Sequence, residues 1–184
     1  AALDGGFEHA AHDSARAFRQ IMRCMACPGT IATVSAARAP APLSTAAATV
    51  ILTLCDHDTP VYLAPSADSA DLRDWITFHT GAPFCVPENA HYAFGAWADL
   101  PIDRFPIGTP EYPDRSATVI VDVSKISASG AVLTGPGIAD KAHLSLPEKE
   151  VFQRNATLYP LGLDFFFAAG DQLAWRFPAA TGAH

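Results

Sequence analysis

The chain has 184 residues, 49% of them hydrophobic and only 17% charged, with a formal net charge of -7. That composition excludes a disordered polymer, and the excess of 19 acidic over 12 basic side chains removes the electrostatic drive for binding a phosphate backbone. The longest uncharged, mostly apolar stretch, Thr45 to Cys55, falls well short of the roughly 20 residues a membrane span requires, and Ala1 to Phe7 carries Asp4 and two glycines where a secretory signal would place a basic segment and an apolar run. Four cysteines are too sparse for a disulfide framework, which points to a reducing cytoplasm. The length suits one domain over 1–184 with a full core. A surface short of charge leaves apolar patches exposed, which predicts an oligomer or a complex subunit.

From Asp13 to Cys27, Phe18, Ile21, Met22 and Met25 fall at helical spacing, with Asp13 as the expected N-cap and Pro28-Gly29 as the stop. Thr30 to Ser35 reads as a strand, followed by a loop at Pro40 and Pro42. A helix capped near Ser44 runs through Val50, Ile51 and Leu54 and is apolar nearly all round, which places it in a buried layer. The Asp56-His57-Asp58-Thr59-Pro60 cluster ends that helix and leads into a strand, Val61 to Ala64. Ser69 caps a further helix whose Leu72, Trp75, Ile76 and His79 share one face, and Gly81 stops it. His91 to Trp97 is a strand. Leu100 to Pro113 is a loop long enough to carry function or an interface. Ala117 to Val123 is the clearest strand, and a weaker one, Val132 to Thr134, runs into Gly135-Pro136-Gly137. Glu148 to Thr157 is helical, with Pro147 in its first turn. Leu163 to Ala168 and Leu173 to Phe177 form a terminal hairpin about Gly170-Asp171. Helices alternating with strands, closed by an antiparallel pair, predict a layered α/β domain with a mixed sheet.

Four motifs have both a chemical and a plain reading. Cys24 and Cys27 form a CxxC, but near a helix end and with no second ligand pair, so buried packing is the simpler account. Asp56-His57-Asp58 offers three metal ligands in a row, yet adjacent side chains diverge; Asp58 is the member able to face a cleft at a strand entrance. His79, beside Trp75 and Ile76, is either a core histidine or an acid-base group. The Gly135–Gly137 loop follows a strand as phosphate-binding loops do, but Pro136 lacks an N–H and no Lys-Ser or Lys-Thr follows, so a tight turn is favoured. No GxSxG or HExxH occurs. Lys125, Lys141 and Lys149 are the only lysines, and none has the setting of a Schiff-base residue for pyridoxal phosphate. Arg16, Arg19 and Arg23 share roughly one helix face, which suits a solvated stripe or a subunit contact better than a triphosphate clamp.

Five ordered segments together resemble the PhnH family of the bacterial carbon-phosphorus lyase system. They are Asp13-Ser14 with Phe18-Arg19 and Met22 leading to Pro28-Gly29; Leu52 to Val61; Phe78-His79-Thr80-Gly81-Ala82-Pro83; Leu133 to Ile138; and Pro160-Leu161-Gly162-Leu163-Asp164. The resemblance implies a three-layer α/β/α sandwich similar to pyridoxal-phosphate-dependent transferases but without the cofactor site. It implies a homodimer or complex-bound subunit acting with PhnG, PhnI and PhnJ in phosphonate catabolism, where ribose 5-triphosphate passes from ATP to a phosphonate with release of adenine. A later radical step, carried by PhnJ with S-adenosylmethionine and an iron-sulfur cluster, cleaves the carbon-phosphorus bond. Members usually close with Pro-Arg-Thr, whereas this chain reads Trp175-Arg176-Phe177-Pro178-Ala179. The candidate ligand or interface residues are Arg19, Asp58, His79, Gly135, Gly137 and Asp164. No cofactor or metal is assigned to this chain. The competing expectation is a self-sufficient small-molecule transferase with a cleft around Asp58, His79, the Gly135–Gly137 loop and Asp164.

Overall fold

A computed structural model describes residues 4–34 and 37–178. In chain order the elements are β1 (Gly6–Phe7), α1 (Ala10–Ala26), β2 (Ile31–Thr33), β3 (Ala37–Arg38), α2 (Thr45–Leu54), β4 (Val61–Leu63) and α3 (Ala70–Thr80). They continue with β5 (Tyr92–Ala96), β6 (Thr118–Asp122), β7 (Ala131–Leu133), β8 (Ala142–Leu144), α4 (Lys149–Thr157), β9 (Asp164–Ala169) and β10 (Gln172–Arg176). Six strands form one mixed sheet in the order β2-β10-β9-β6-β5-β4. The run β9-β6-β5-β4 is parallel, and β10 and β2 add antiparallel to it.

Both faces of the sheet are covered, as parallel strands require. Strand residues alternate between them: Phe94, Ile120 and Phe166 join Ile21, Ile51 and Trp75 from the first three helices in one core. Val119, Val121, Phe165 and Phe167 point the other way, against Phe152 of α4 and Leu133 and Leu144 of the β7-β8 ribbon. The result is a three-layer α/β/α arrangement, the fold class expected.

The two serine caps form as predicted. Ser44 Oγ accepts from the Ala47 N–H at 3.2 Å, and Ser69 Oγ from the Leu72 N–H at 3.3 Å. Gly81 closes α3 in the left-handed conformation at φ 72°, which glycine adopts without steric cost. Helix α2 is buried along Ala46 to Ile51, as its all-round apolar sequence predicted.

Several expectations need correction. Asp13 is not the cap of α1, which starts earlier, after His9; the Asp13 carboxylate instead accepts from the His9 N–H at 2.8 Å, reaching back to a helix-start donor that lacks an intrahelical partner. Pro147 precedes the helix rather than occupying its first turn, the N-cap being Glu148. The strand at Ala131–Leu133 pairs with β8, an element with no sequence signal, in a ribbon outside the main sheet. The short pair β1-β3 was likewise not expected. Ser35, at the end of the strand expected from Thr30, and Ala179 lie outside the described residues. Among those described, no helix is long and apolar enough to cross a membrane.

Candidate functional site

Two places in this frame concentrate chemistry, one on each face. On the helix-covered face, register aligns Val61, Tyr92, Thr118 and Asp164 across the amino ends of the parallel strands. Two residues further along each of the three central strands lie buried Phe94, Ile120 and Phe166, so Tyr92, Thr118 and Asp164 form a half-buried polar ledge at the margin of an apolar face. The carboxyl end of α2 sits over it. Burial pushes the Tyr92 hydroxyl up to about 12, helped by the nearby Cys55, Asp56 and Asp164. Burial raises the Cys55 thiol to about 12, partly countered by a hydrogen bond with Thr59. Burial alone raises the Asp164 carboxyl to about 6. A carboxyl half-protonated near pH 6 can give or take a proton, and Tyr92 and Thr118 supply hydroxyls. The negative end of the helix dipole and the carboxylates make the ledge a poor seat for a polyphosphate.

The other face is less completely covered. Helix α4 and the chain following β5 leave a cleft of about 430 Å³ between Trp97, Pro101, Arg104, Glu148 and Arg154. A second cleft of about 400 Å³ shares Ile102, Asp103, Val151 and Arg154 with the first and extends to Leu158 and Leu163. Trp97 directly follows the carboxyl end of β5, the side where open α/β sheets most often bind ligands. Its indole stacks on Phe152 at 5.1 Å between centroids. Arg104 is engaged by Glu88, Nε donating to Oε1 at 2.7 Å. Arg154 forms no ion pair with a described carboxylate, which leaves its guanidinium able to grip an anionic group in either cleft. Asn155 fixes the floor: its amide nitrogen donates to Leu163 O at 2.8 Å, and its oxygen accepts from Leu163 N–H at 2.7 Å.

The residues singled out in the sequence are distributed over these places and beyond. Asp164 is on the ledge. Asp58 lies exposed in the turn after α2, with His57 Nε2 3.3 Å from its carboxylate. The ligand atoms of Asp56, His57 and Asp58 lie within 4.8 Å of one another, all on exposed side chains. That turn approaches the end of α3, where a Cβ built on Gly81 would lie 3.7 Å from His57 Cβ. Two residues back on α3, His79 packs against Trp75 with centroids 4.9 Å apart, and β1 crosses its ring at Gly6, where a Cβ would lie 2.7 Å from the imidazole. The loop Gly135-Pro136-Gly137 is a tight turn, with Ile138 N–H donating to Gly135 O at 3.1 Å. It packs on the end of α1: a Cβ on Gly137 would run into the Ala26 carbonyl. Arg19 is exposed on α1. Neither cleft along α4 is lined by any of these six residues.

Cys24 is a packed residue: its thiol is raised to about 12, chiefly by burial and secondarily by Cys27, and faces Leu173 O at 3.8 Å. Lys125, Lys141 and Lys149 are all exposed. Arg176 is buried against Phe152, its guanidinium 5.0 Å from the ring centre, and burial lowers it to about 10. Sequence reasoning missed Trp97, Arg154 and Tyr92. The available signals were a tryptophan at a strand end and the long loop after it, which does line both clefts through Ile102 and Asp103.

Residues 5–179 match the family described as Bacterial phosphonate metabolism protein (PhnH). The chain belongs to the PhnH family. It is 39% identical over 178 residues to the Alpha-D-ribose 1-methylphosphonate 5-triphosphate synthase subunit PhnH of Rhizobium meliloti (strain 1021), with 91% of this chain and 88% of the relative covered. The PhnH match takes in all five segments on which the resemblance rests, from Asp13 to Asp164.

Proposed function

We propose that this chain is a subunit of a synthase that transfers ribose 5-triphosphate from ATP to a phosphonate. In that reaction a phosphonate oxygen forms a bond to the anomeric carbon, the N-glycosidic bond breaks, and adenine leaves after gaining a proton. The observation that carries the reading is the similarity, over nearly the whole chain, to a relative whose name states a synthase subunit. Further support comes from the site: the ledge is acidic, and of the two arginines along the α4 clefts Arg104 is already paired with Glu88, so no cluster of basic groups awaits a triphosphate and a complete active site would need other chains. The partners in this reading are PhnG-, PhnI- and PhnJ-type subunits, with a homodimer as the free form and the cytoplasm as the compartment. ATP and phosphonate are substrates of the assembled complex, and this chain holds neither pyridoxal phosphate nor a metal.

Adenine release from ATP and methylphosphonate, followed by chromatography, tests the proposal. The isolated chain is expected to release none, whereas the chain mixed with the partner subunits releases adenine in step with a phosphonate-linked ribose product. Turnover by the isolated chain would overturn the subunit reading and establish a self-sufficient transferase.

A further inference from the structure

Helix α1 buries Ala17, Ile21 and Cys24 and turns a different set of residues outward. Phe18 is 48% and Met22 44% exposed, four residues apart and so one above the other. Beside them Arg16, Arg19 and Arg23 are all exposed, and none is within ion-pair distance of a described carboxylate. In a protein of net charge -7, a quarter of the twelve basic side chains is thus gathered on one helix face without partners. A helix of 17 residues extends roughly 25 Å, enough to cross much of a standard interface. Arginine, phenylalanine and methionine are the residue types that interfaces concentrate, whereas a merely solvated face would favour lysine and glutamate.

We infer that the outward face of α1 is a docking surface for another subunit, whose contacting surface carries carboxylates beside an apolar patch. Phe18 and Met22 supply an apolar strip, and the three guanidiniums on the adjacent strip of the helix pair with the partner's acids as water is excluded. A second copy of this chain is a poor occupant. A two-fold contact through α1 would set three arginines against three arginines, at a cost in like-charge repulsion. The inference rests on the proposed subunit role and assigns a surface to it.

The test uses the full chain and co-purified PhnG, PhnI and PhnJ from the same source, with affinity measured at low and high salt. The variants are Arg16→Glu/Arg19→Glu/Arg23→Glu and, separately, Phe18→Ser/Met22→Ser, each checked for an unchanged far-UV spectrum and melting temperature. The charge reversal is expected to weaken assembly at least about tenfold, and the wild-type affinity to fall with salt far more steeply than the variant's. Phe18→Ser/Met22→Ser is expected to weaken assembly at every salt concentration. If the wild type joins the subunits and both variants join equally well, the α1 inference is wrong while the subunit role stands. If the wild type does not join them, both fail. Stronger capture of the wild type by phosphatidylserine vesicles than by the subunits would also overturn the inference, assigning the face to a lipid surface.

Discussion

The two faces of the sheet solve the same covering problem differently. On one face α2 lies close, because Ala46, Ala47 and Ala48 carry only methyl side chains, and α1 and α3 fill the flanks with Ile21 and Trp75. On the other, one nine-residue helix, a two-stranded ribbon and short turns must cover the same strands, and bulky aromatics fill the gap. Phe152 meets Phe165 at 4.8 Å, Phe167 at 5.7 Å and Trp97 at 5.1 Å between centroids. Helices seal a surface; short irregular segments cannot, and two clefts lie along α4 for that reason.

The largest effect should separate the faces directly. Trp75 is fully buried and Trp97 only partly so. Trp75→Ala is expected to cost about 3–5 kcal/mol in urea unfolding, and Trp97→Ala about 1–2 kcal/mol, because its cavity is already open to water. Equal losses would mean that the second face is as tightly closed as the first. Next comes the floor of the α4 clefts: Asn155→Ala leaves both the N–H and the carbonyl of Leu163 unpaired in a buried setting and is expected to cost about 2–3 kcal/mol. Asn155→Asp, which keeps only the acceptor, should recover little of it.

A smaller, pH-dependent effect marks the ledge. Asp164 is raised to about 6 when folded, against about 4 when unfolded, so the native state holds the extra proton between those values. Its penalty is absent below pH 4, grows from pH 4 to 6 and is complete above 6. Asp164→Asn should therefore leave stability unchanged near pH 3.5 and raise it by about 1–2 kcal/mol at pH 8, read as two Tm-versus-pH curves that coincide at low pH and diverge above pH 4. A variant less stable than wild type at pH 8 would show that the carboxylate has a favourable partner. The smallest change is the cap of α2: Ser44→Ala should cost about 1 kcal/mol, well below the loss expected for Trp75→Ala, since the hydroxyl satisfies a single backbone donor.

Local signals were legible to the extent that they act over a few residues. Ser44, Ser69 and Gly81 mark helix ends because their own side chain or backbone does the capping. Asp13 misled for the same reason: a carboxylate one turn into a helix can reach back to the N–H of the residue before it, so a capping residue type did not stand at the capping position. The weak strand at 131–133 was found, but its partner β8 was not, since three residues containing Lys141-adjacent Ala142 and exposed His143 carry no alternation to detect. Of the candidate site residues, Asp58, His79 and Asp164 lie in an identifiable turn, helix face and strand start, yet nothing in their spacing shows which of them meet.

By itself the sequence determined the helices, the strong strands, the mixed α/β class and, through five ordered segments, the family. The tertiary structure decided that the terminal hairpin enters the middle of the sheet, with β9 between β6 and β10, and so brings Asp164 into line with Tyr92. It also decided that Trp97 and Arg154, 57 positions apart, share a cleft. Caps and periodicity are energies of neighbouring residues and can be read along the chain. A ledge or a cleft arises only when distant segments compete to bury the same apolar surface, and the outcome of that competition is not written in any one of them.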